Sequence, residues 1–238
     1  MTNPAPRPNA FCWMDLKTRD MPGTAEFFGD VLGWTFAVDE EDWRRATYIR
    51  VGGHRIGSVS DLAAPVYPPD LPAHTAYYIA VDDVDRRTEA AAAAGASVVL
   101  DPFDAGDQGR MATLVDPAGA AFSLWRGHAF HGWTAPSGEP HAPGRMVLAC
   151  EHPRRAAAFY TRTLGGAPRG VSFVTAPASG SGVPQWELAL SVADPEGVGE
   201  RARERAGTAV AGAGGEDEPL VRILSPEGLS FGLLAAAA

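Results

Sequence analysis

The first residues able to do chemistry stand at alternate positions of an apolar segment, FCWMDL, close to the start of the chain. If this segment is a strand, alternation places Phe11, Trp13 and Asp15 on one face. Asp15 would serve as a general base if it were removed from water. The alternative is a carboxylate hydrogen-bonded to its neighbours. We favour that alternative, and Asp15 alone does not make an enzyme.

Other signals restrict the possible functions. The sequence contains no Ser–His–Asp spacing, GxSxG motif or phosphate-binding loop. The formal net charge is −9, from 20 basic and 29 acidic residues, which argues against a nucleic-acid partner. No apolar run approaches the ~20 residues of a membrane span, and MTNPAPRPNAF lacks the apolar core of a signal peptide. We therefore expect a cytoplasmic location and no membrane partner.

The two cysteines, Cys12 and Cys150, each lie inside an apolar run, FCWM and MVLAC. This placement predicts free, buried thiols and gives no support for a disulfide framework. The alternative is a single bridge between two equivalent strands, which would be uncommon in a cytosolic protein.

Two kinds of segment recur along the chain. Residues 11–34 and 145–166 each read as a strand, a polar turn and a helix that a Leu-Gly pair ends. Residues 75–99 and 186–210 each read as a strand, a helix and a short strand. A hairpin follows each of them, at 109–125 and 219–234, with DPAG or SPEG as its turn. This order predicts four strand–helix–strands repeats.

The repeats predict an α+β protein made of two modules. The first module covers residues 8–127 and the second covers residues 143–238, with a Pro- and Gly-rich linker at 128–142. The third repeat is short, because RGVSFVTAPASGSGVP stands in place of the longer stretch from 35 to 72, and one of its strands is expected to be missing or merged. His128, His131 and His141 of the linker are expected to be solvated loop residues.

Four βαβββ repeats with these turns resemble the vicinal oxygen chelate superfamily, which includes glyoxalase I, extradiol dioxygenases and bleomycin-resistance proteins. The most specific stretches are DLKTRDMPGTAEFFGDVLGW, YIAVDDVD and DAGDQGRMATLVDPAGAAFSLW, and together they look like two-module proteins from actinobacteria. The resemblance implies that the repeats pair into two modules with cup-shaped mixed sheets. It also implies that any metal would be held by cup-facing His, Glu or Gln on four strands.

The chain departs from that ligand pattern. In the first module the four positions fall on Trp13, on Gly57 or Ser58, on Ala76 with Tyr78 on the same face, and on Ser123. In the second module they fall on Arg145, on a residue of VSFVT, on Glu187 and on Gly232. Only Glu187 has metal-binding chemistry, whereas a catalytic divalent ion needs three or four such ligands. We therefore expect no metal and no other cofactor.

The cups would instead be lined by aromatic and polar residues suited to a planar organic ligand. The candidate ligand-binding residues of the first module are Trp13, Asp15, Trp34, Ser58, Tyr78, Ser123 and Trp125, and those of the second are Arg145, Gln185 and Glu187. The alternative for the aromatics is that they fill the cup as core. Arg145 and Glu187 are expected to form an ion pair, with anion binding by Arg145 as the alternative.

The resemblance and these residues favour a metal-independent protein that binds a hydrophobic, aromatic small molecule in the first cup, with an accessory or sequestration role in an antibiotic pathway. The alternative is a metal-free enzyme acting on the same class of molecule as an isomerase, a cyclase or an oxygenase (hydroxylase). Asp15 is then the catalytic candidate. A scaffold with two closed cups is a third possibility. Because two modules lie in one chain, a monomer or a homodimer is expected.

Overall fold

The structure is a computed structural model that describes residues 7–40, 45–136, 138–176, 184–212 and 220–236. Within these ranges the chain forms two mixed sheets, of eight and six strands, and four helices. The α+β class and the four strand–helix–strands repeats are therefore confirmed.

The elements follow the predicted order. The first two repeats contain β1 (Phe11–Thr18), α1 (Met21–Leu32), β2 (Thr35–Val38), β3 (Thr47–Val51), β4 (His54–Asp61), β5 (His74–Ala80), α2 (Val84–Ala93), β6 (Ser97–Asp104), β7 (Gly109–Val115) and β8 (Ala121–Gly127). The last two repeats contain β9 (Pro143–Cys150), α3 (Pro153–Leu164), β10 (Val171–Thr175), β11 (Trp186–Val192), α4 (Pro195–Glu204), β12 (Thr208–Gly212), β13 (Leu220–Leu224) and β14 (Ser230–Ala235).

The helix ends are set by the residues that the sequence indicates. Asp20 caps α1 by accepting a hydrogen bond from the Gly23 amide, and Asp83 caps α2 by accepting one from the Arg86 amide. Gly33 and Gly165 end α1 and α3 in the left-handed conformation, at φ values of 68° and 71°. The Leu-Gly stop signals are thus confirmed.

The shortened third repeat has one strand, β10, between α3 and β11 in the part of the chain that the structure describes. The first repeat has three strands at the same place, β2, β3 and β4. The rest of the shortened stretch, residues 177–183, lies outside the described residues.

The chain divides into two compact units, each built from both halves of the sequence. Unit 1 contains residues 1–13, 77–132 and 145–187, and unit 2 contains residues 14–76, 133–144 and 188–238. In unit 1, β5, β8, β7 and β6 lie side by side in that order, and β9 pairs with β10. In unit 2, β2, β3, β4 and the end of β1 are neighbours, as are β11, β14, β13 and β12. The modules 8–127 and 143–238 remain a prediction about the sequence repeats.

A buried hydrogen-bond network fixes the DPAG turn of unit 1 to α3. The Tyr160 hydroxyl donates to Oδ2 of Asp116 at 2.9 Å, and Nε1 of Trp186 donates to the Tyr160 oxygen at 2.7 Å. Oδ1 of Asp116 accepts from the backbone amides of Ala118 and Ala120. Burial, and then the negative charge of Asp116, raises the pKa of Tyr160 well above its usual range.

The aromatic core of unit 2 lies between α1 and β14. Trp34 is 2% exposed, and its ring contacts Phe28 and Phe231 at centroid distances of 5.4 and 5.1 Å. Its Nε1 donates to the carbonyl oxygen of His141, whose own Nδ1 lies 2.6 Å from the Leu32 carbonyl oxygen. The expectation of a solvated His141 is therefore wrong, because this residue ties the linker to the end of α1.

Both cysteines are free and buried, as predicted, so the alternative of a single bridge is wrong. Burial raises the pKa of the Cys12 thiol far above its usual range, and burial also raises the pKa of Cys150. Thiols held in the neutral form are poor nucleophiles, so both residues act as small apolar side chains.

We predict that Tyr160→Phe lowers the free energy of unfolding by about 1–3 kcal/mol, because it leaves buried polar atoms of Asp116 and Trp186 without their partner. Urea denaturation followed by circular dichroism measures the loss. Tyr67→Phe is the matched control, because the half-exposed Tyr67 hydroxyl can be replaced by water. Equal losses in the two variants would contradict the network's importance.

Comparison of wild type with Tyr160→Phe should also show that the contribution of Tyr160 to stability depends on pH in the alkaline range. The pKa of Tyr160 is raised in the folded state, so above about pH 10 its proton is lost from the unfolded chain only. The contribution of Tyr160 to stability is complete below that pH and declines as the pH rises. The difference in unfolding free energy between wild type and Tyr160→Phe should therefore shrink above about pH 10. A constant or growing difference would contradict this.

Candidate functional site

Four aromatic side chains form a cluster in unit 1. Trp125 of β8 makes an edge contact with Tyr78 of β5 at a centroid distance of 6.2 Å. Phe130 lies 4.6 Å from Trp13 of β1, at an interplanar angle of 82°, and 6.0 Å from Trp125. Trp13 and Trp125 are each 6% exposed, and Tyr78 and Phe130 are half-buried. Three of these four residues, Trp13, Tyr78 and Trp125, were predicted from the sequence.

The strand register holds this cluster in place. β5 and β8 run parallel, with Tyr78 opposite Ser123 and Ala80 opposite Trp125. The Ser123 hydroxyl is buried and lies 2.9 Å from the Thr113 hydroxyl of the neighbouring β7. Gly109 must lack a side chain, because a Cβ there would lie 2.6 Å from the Trp125 ring. The Trp125 ring thus lies directly against the backbone of β7.

Phe130 is the aromatic residue that sequence reasoning missed, because it falls in the predicted linker. Its carbonyl oxygen accepts a hydrogen bond of 3.2 Å from Nε1 of Trp125, and its amide donates to the Gln108 carbonyl oxygen. The His128 amide donates to the same oxygen, at 2.8 Å. The signal available in the sequence was the adjacent apolar residues Ala129 and Phe130 in GHAFHGW, because apolar pairs are rare in a solvated linker.

Polar side chains form a second cluster, in unit 2. Asp15 of β1 pairs in register with Ser58 of the parallel strand β4. The Asp15 carboxylate accepts hydrogen bonds from the hydroxyls of Ser58 and Ser60, at 2.9 and 2.8 Å, and from the Lys17 ammonium group, at 2.8 Å. Lys17 also donates to the Tyr67 hydroxyl at 3.0 Å and lies over the Tyr67 ring.

These contacts favour the interpretation of Asp15 as a carboxylate hydrogen-bonded to its neighbours over its interpretation as a general base. Asp15 is 6% exposed, and both of its oxygens accept hydrogen bonds. A base must instead reach the proton that it removes. Lys17 and Ser60 were not predicted from the sequence. The signal for them was present, because each lies two residues beyond a predicted residue and therefore shares its face of the strand.

We predict that Asp15→Asn lowers the free energy of unfolding by about 1–3 kcal/mol, because an amide cannot accept from all three donors and leaves the Lys17 charge uncompensated. Thermal and urea unfolding measure the loss. Asp61→Asn, at the exposed end of β4, is the matched control and should change the free energy by less than about 0.5 kcal/mol.

The double variant Asp15→Asn, Lys17→Met should lose less stability than the sum of the two single variants, because the charges act as a pair. Additive losses would contradict the pairing of these two side chains.

The remaining candidates of unit 1 belong to the second half of the sequence. Arg145 is half-buried on β9, and Glu187 is 5% exposed on β11. Gln185 is exposed just before β11. The ion pair between Arg145 and Glu187, and the contribution of all three residues to ligand binding, remain predictions. In unit 2, the roles of Trp34 and Ser58 as ligand contacts also remain predictions.

The residues at the superfamily's ligand positions do not fit a divalent metal. Trp13 offers only a ring N–H donor. The Ser58 hydroxyl donates a hydrogen bond to Asp15, and the Ser123 hydroxyl is hydrogen-bonded to that of Thr113. Within the described ranges, no three His, Cys, Asp or Glu side chains form a group that could hold a metal ion. A catalytic zinc or iron site needs three or four N, O or S ligands.

Unit 1 also contains a cavity of about 610 Å³ between the DPAG turn and the first turns of α3. Its polar walls include Asp116, His152, Arg155 and Arg162, with the buried thiol of Cys150 at one side. None of the residues predicted to bind a ligand lines it.

Among the described residues, no helix is long and apolar enough to cross a membrane.

Known proteins share this architecture. Residues 11–124 match the model of the Glyoxalase/Bleomycin resistance protein/Dioxygenase superfamily. The chain is 29% identical to the anthracycline biosynthesis protein DnrV of Streptomyces peucetius, over 95% of this chain and 93% of that protein.

Two solved structures have the same fold. The Mn(II)-bound glyoxalase from Novosphingobium aromaticivorans superposes with a TM-score of 0.61 at 15% identity, over 98% of this chain and 83% of that one. The 2,2',3-trihydroxybiphenyl 1,2-dioxygenase from Sphingomonas wittichii gives a TM-score of 0.63 at 15% identity, over 96% and 91%. The chain therefore has the vicinal oxygen chelate fold, and residues 11–124 match the family model of the Glyoxalase/Bleomycin resistance protein/Dioxygenase superfamily.

Proposed function

We propose that this protein binds a planar aromatic small molecule by stacking it against Trp13, Tyr78 and Trp125, without a metal ion. The observation that carries this proposal is the aromatic cluster of unit 1. Aromatic faces give large contact area at low entropic cost, and the indole N–H and phenol O–H groups can orient a ligand.

The ligand class follows from the chemistry of the cluster and from the relatives. Three aromatic residues favour a polycyclic ligand, because each further ring adds stacking and apolar burial. A relative that aligns with 95% of this chain, over 93% of its own length, is named for anthracycline biosynthesis, which supports an accessory or sequestration role in an antibiotic pathway. The proposed ligand is thus a hydrophobic aromatic intermediate or product of such a pathway.

Binding is better supported than the metal-free enzyme. The one titratable candidate, Asp15, already accepts three hydrogen bonds and carries the charge that balances Lys17. A general base occupied in this way would have to break those contacts before it could accept a proton. A ligand released unchanged is therefore the expected outcome.

We predict that Trp125→Leu weakens binding of anthraquinone sulfonate, a polycyclic probe, by about tenfold, or ~1.4 kcal/mol, because a flat ring loses its stacking partner. Isothermal titration calorimetry measures the dissociation constant. Phe103→Leu is the control, because Phe103 is 43% exposed on β6 of the same unit and should leave the affinity unchanged.

The titration is repeated after exhaustive chelation. Unchanged affinity is expected for a metal-independent site. Affinity that is lost on chelation and returns with Mn²⁺ or Fe²⁺ would contradict metal independence. Trp125→Leu protein that binds the probe as tightly as wild type would contradict the aromatic site.

A further inference from the structure

The aromatic cluster of unit 1 is covered by part of its own chain. We define the strap as residues 127–132. Its Phe130 ring stands edge-on to Trp13 at 4.6 Å and contacts Trp125 at 6.0 Å. With Phe130 in place, Trp13 and Trp125 are each only 6% exposed. An indole ring so little exposed cannot offer a face to a ligand unless a neighbouring group moves, and Phe130 is an aromatic ring in contact with both indoles.

From this burial we infer that Phe130 is a built-in occupant of the aromatic site, and that ligand entry displaces Phe130 together with the strap. The inference rests on the proposed function, because it concerns the same site. Phe130 then determines specificity. A single-ring ligand would make about the contacts that Phe130 already makes, whereas a polycyclic ligand gains further contact area beyond the displaced ring.

The strap is attached by contacts that can be exchanged. His128 and Phe130 donate their amides to the Gln108 carbonyl oxygen at 2.8 and 3.2 Å, and Ala129 donates to that of Asp107 at 3.3 Å. The indole N–H of Trp125 donates to the Phe130 carbonyl oxygen at 3.2 Å. All four donors can bond to water or to a ligand after the strap lifts, so opening leaves no group permanently unsatisfied.

Two glycines shape the closed position of the strap. Gly132 has a φ of 105°, and a Cβ there would overlap the carbonyl oxygen of Cys12. A Cβ on Gly127 would overlap the carbonyl oxygen of Phe130. The strap therefore lies against β1 at one end and against itself at the other, which brings Phe130 onto the two indoles.

The first test compares binding of anthraquinone sulfonate to wild type and to Phe130→Ala. The variant removes the competing Phe130 ring but no contact to the ligand. Its dissociation constant should therefore be roughly 3- to 10-fold lower than that of wild type, which corresponds to the free energy of one or two aromatic contacts. Phe103→Ala is the control and should bind like wild type. Unchanged or weaker binding by Phe130→Ala would overturn the inference.

The two proposals fail in distinguishable ways. If Trp125→Leu weakens binding but Phe130→Ala does not tighten it, only the displaced strap is wrong. If neither wild type nor Phe130→Ala binds the probe, both proposals are wrong. Binding seen only in Phe130→Ala would support both, because it shows a site that Phe130 closes.

Hydrogen exchange on the wild-type protein gives a second test that needs no variant. Ligand binding usually slows amide exchange near the site. Displacement of the strap predicts the opposite for the amides of His128, Ala129 and Phe130, which should exchange faster with saturating probe than without it. Slower or unchanged exchange at these three amides would overturn the inference.

Discussion

The burial of two indole rings is the constraint on which the proposed site depends. Trp13 and Trp125 project from separate strands of unit 1, and Phe130 is a third aromatic ring against them. Parallel pairing of β5 with β8 fixes Trp125 relative to Tyr78, and Gly109 lets the Trp125 ring lie against the next strand. The same packing that stabilises these rings also keeps them from water, so stability and ligand access oppose each other at this place.

The polar cluster of unit 2 is held together by hydrogen bonds and charge rather than by the packing of apolar rings. Asp15 accepts hydrogen bonds from two serines of the adjacent parallel strand and from Lys17, so a buried charge is fully balanced by local partners. Of the first-module positions that the resemblance assigns to metal ligands, Ser58 donates a hydrogen bond to Asp15 and Ser123 is hydrogen-bonded to Thr113.

Much of this architecture could be predicted because it depends on local signals. Strand alternation, Leu-Gly helix ends and the DPAG and SPEG turns gave the four repeats, and the ligand positions of the resemblance led to Tyr78 and Ser123, which the structure places opposite each other. The contacts of His141 and Phe130 could not be predicted in this way. Both lie in a Pro- and Gly-rich stretch without periodicity, and their partners, Leu32 and Trp13, are separated from them by more than a hundred residues.

The most direct measurement is a native mass spectrum of the protein after exposure to an extract of a Streptomyces strain and removal of unbound material. We expect an adduct with the mass of an aromatic organic molecule and no added metal mass, and we expect the released molecule to be chemically unchanged. An added metal mass on the protein, or a ligand released in altered form, would contradict a metal-independent binding protein.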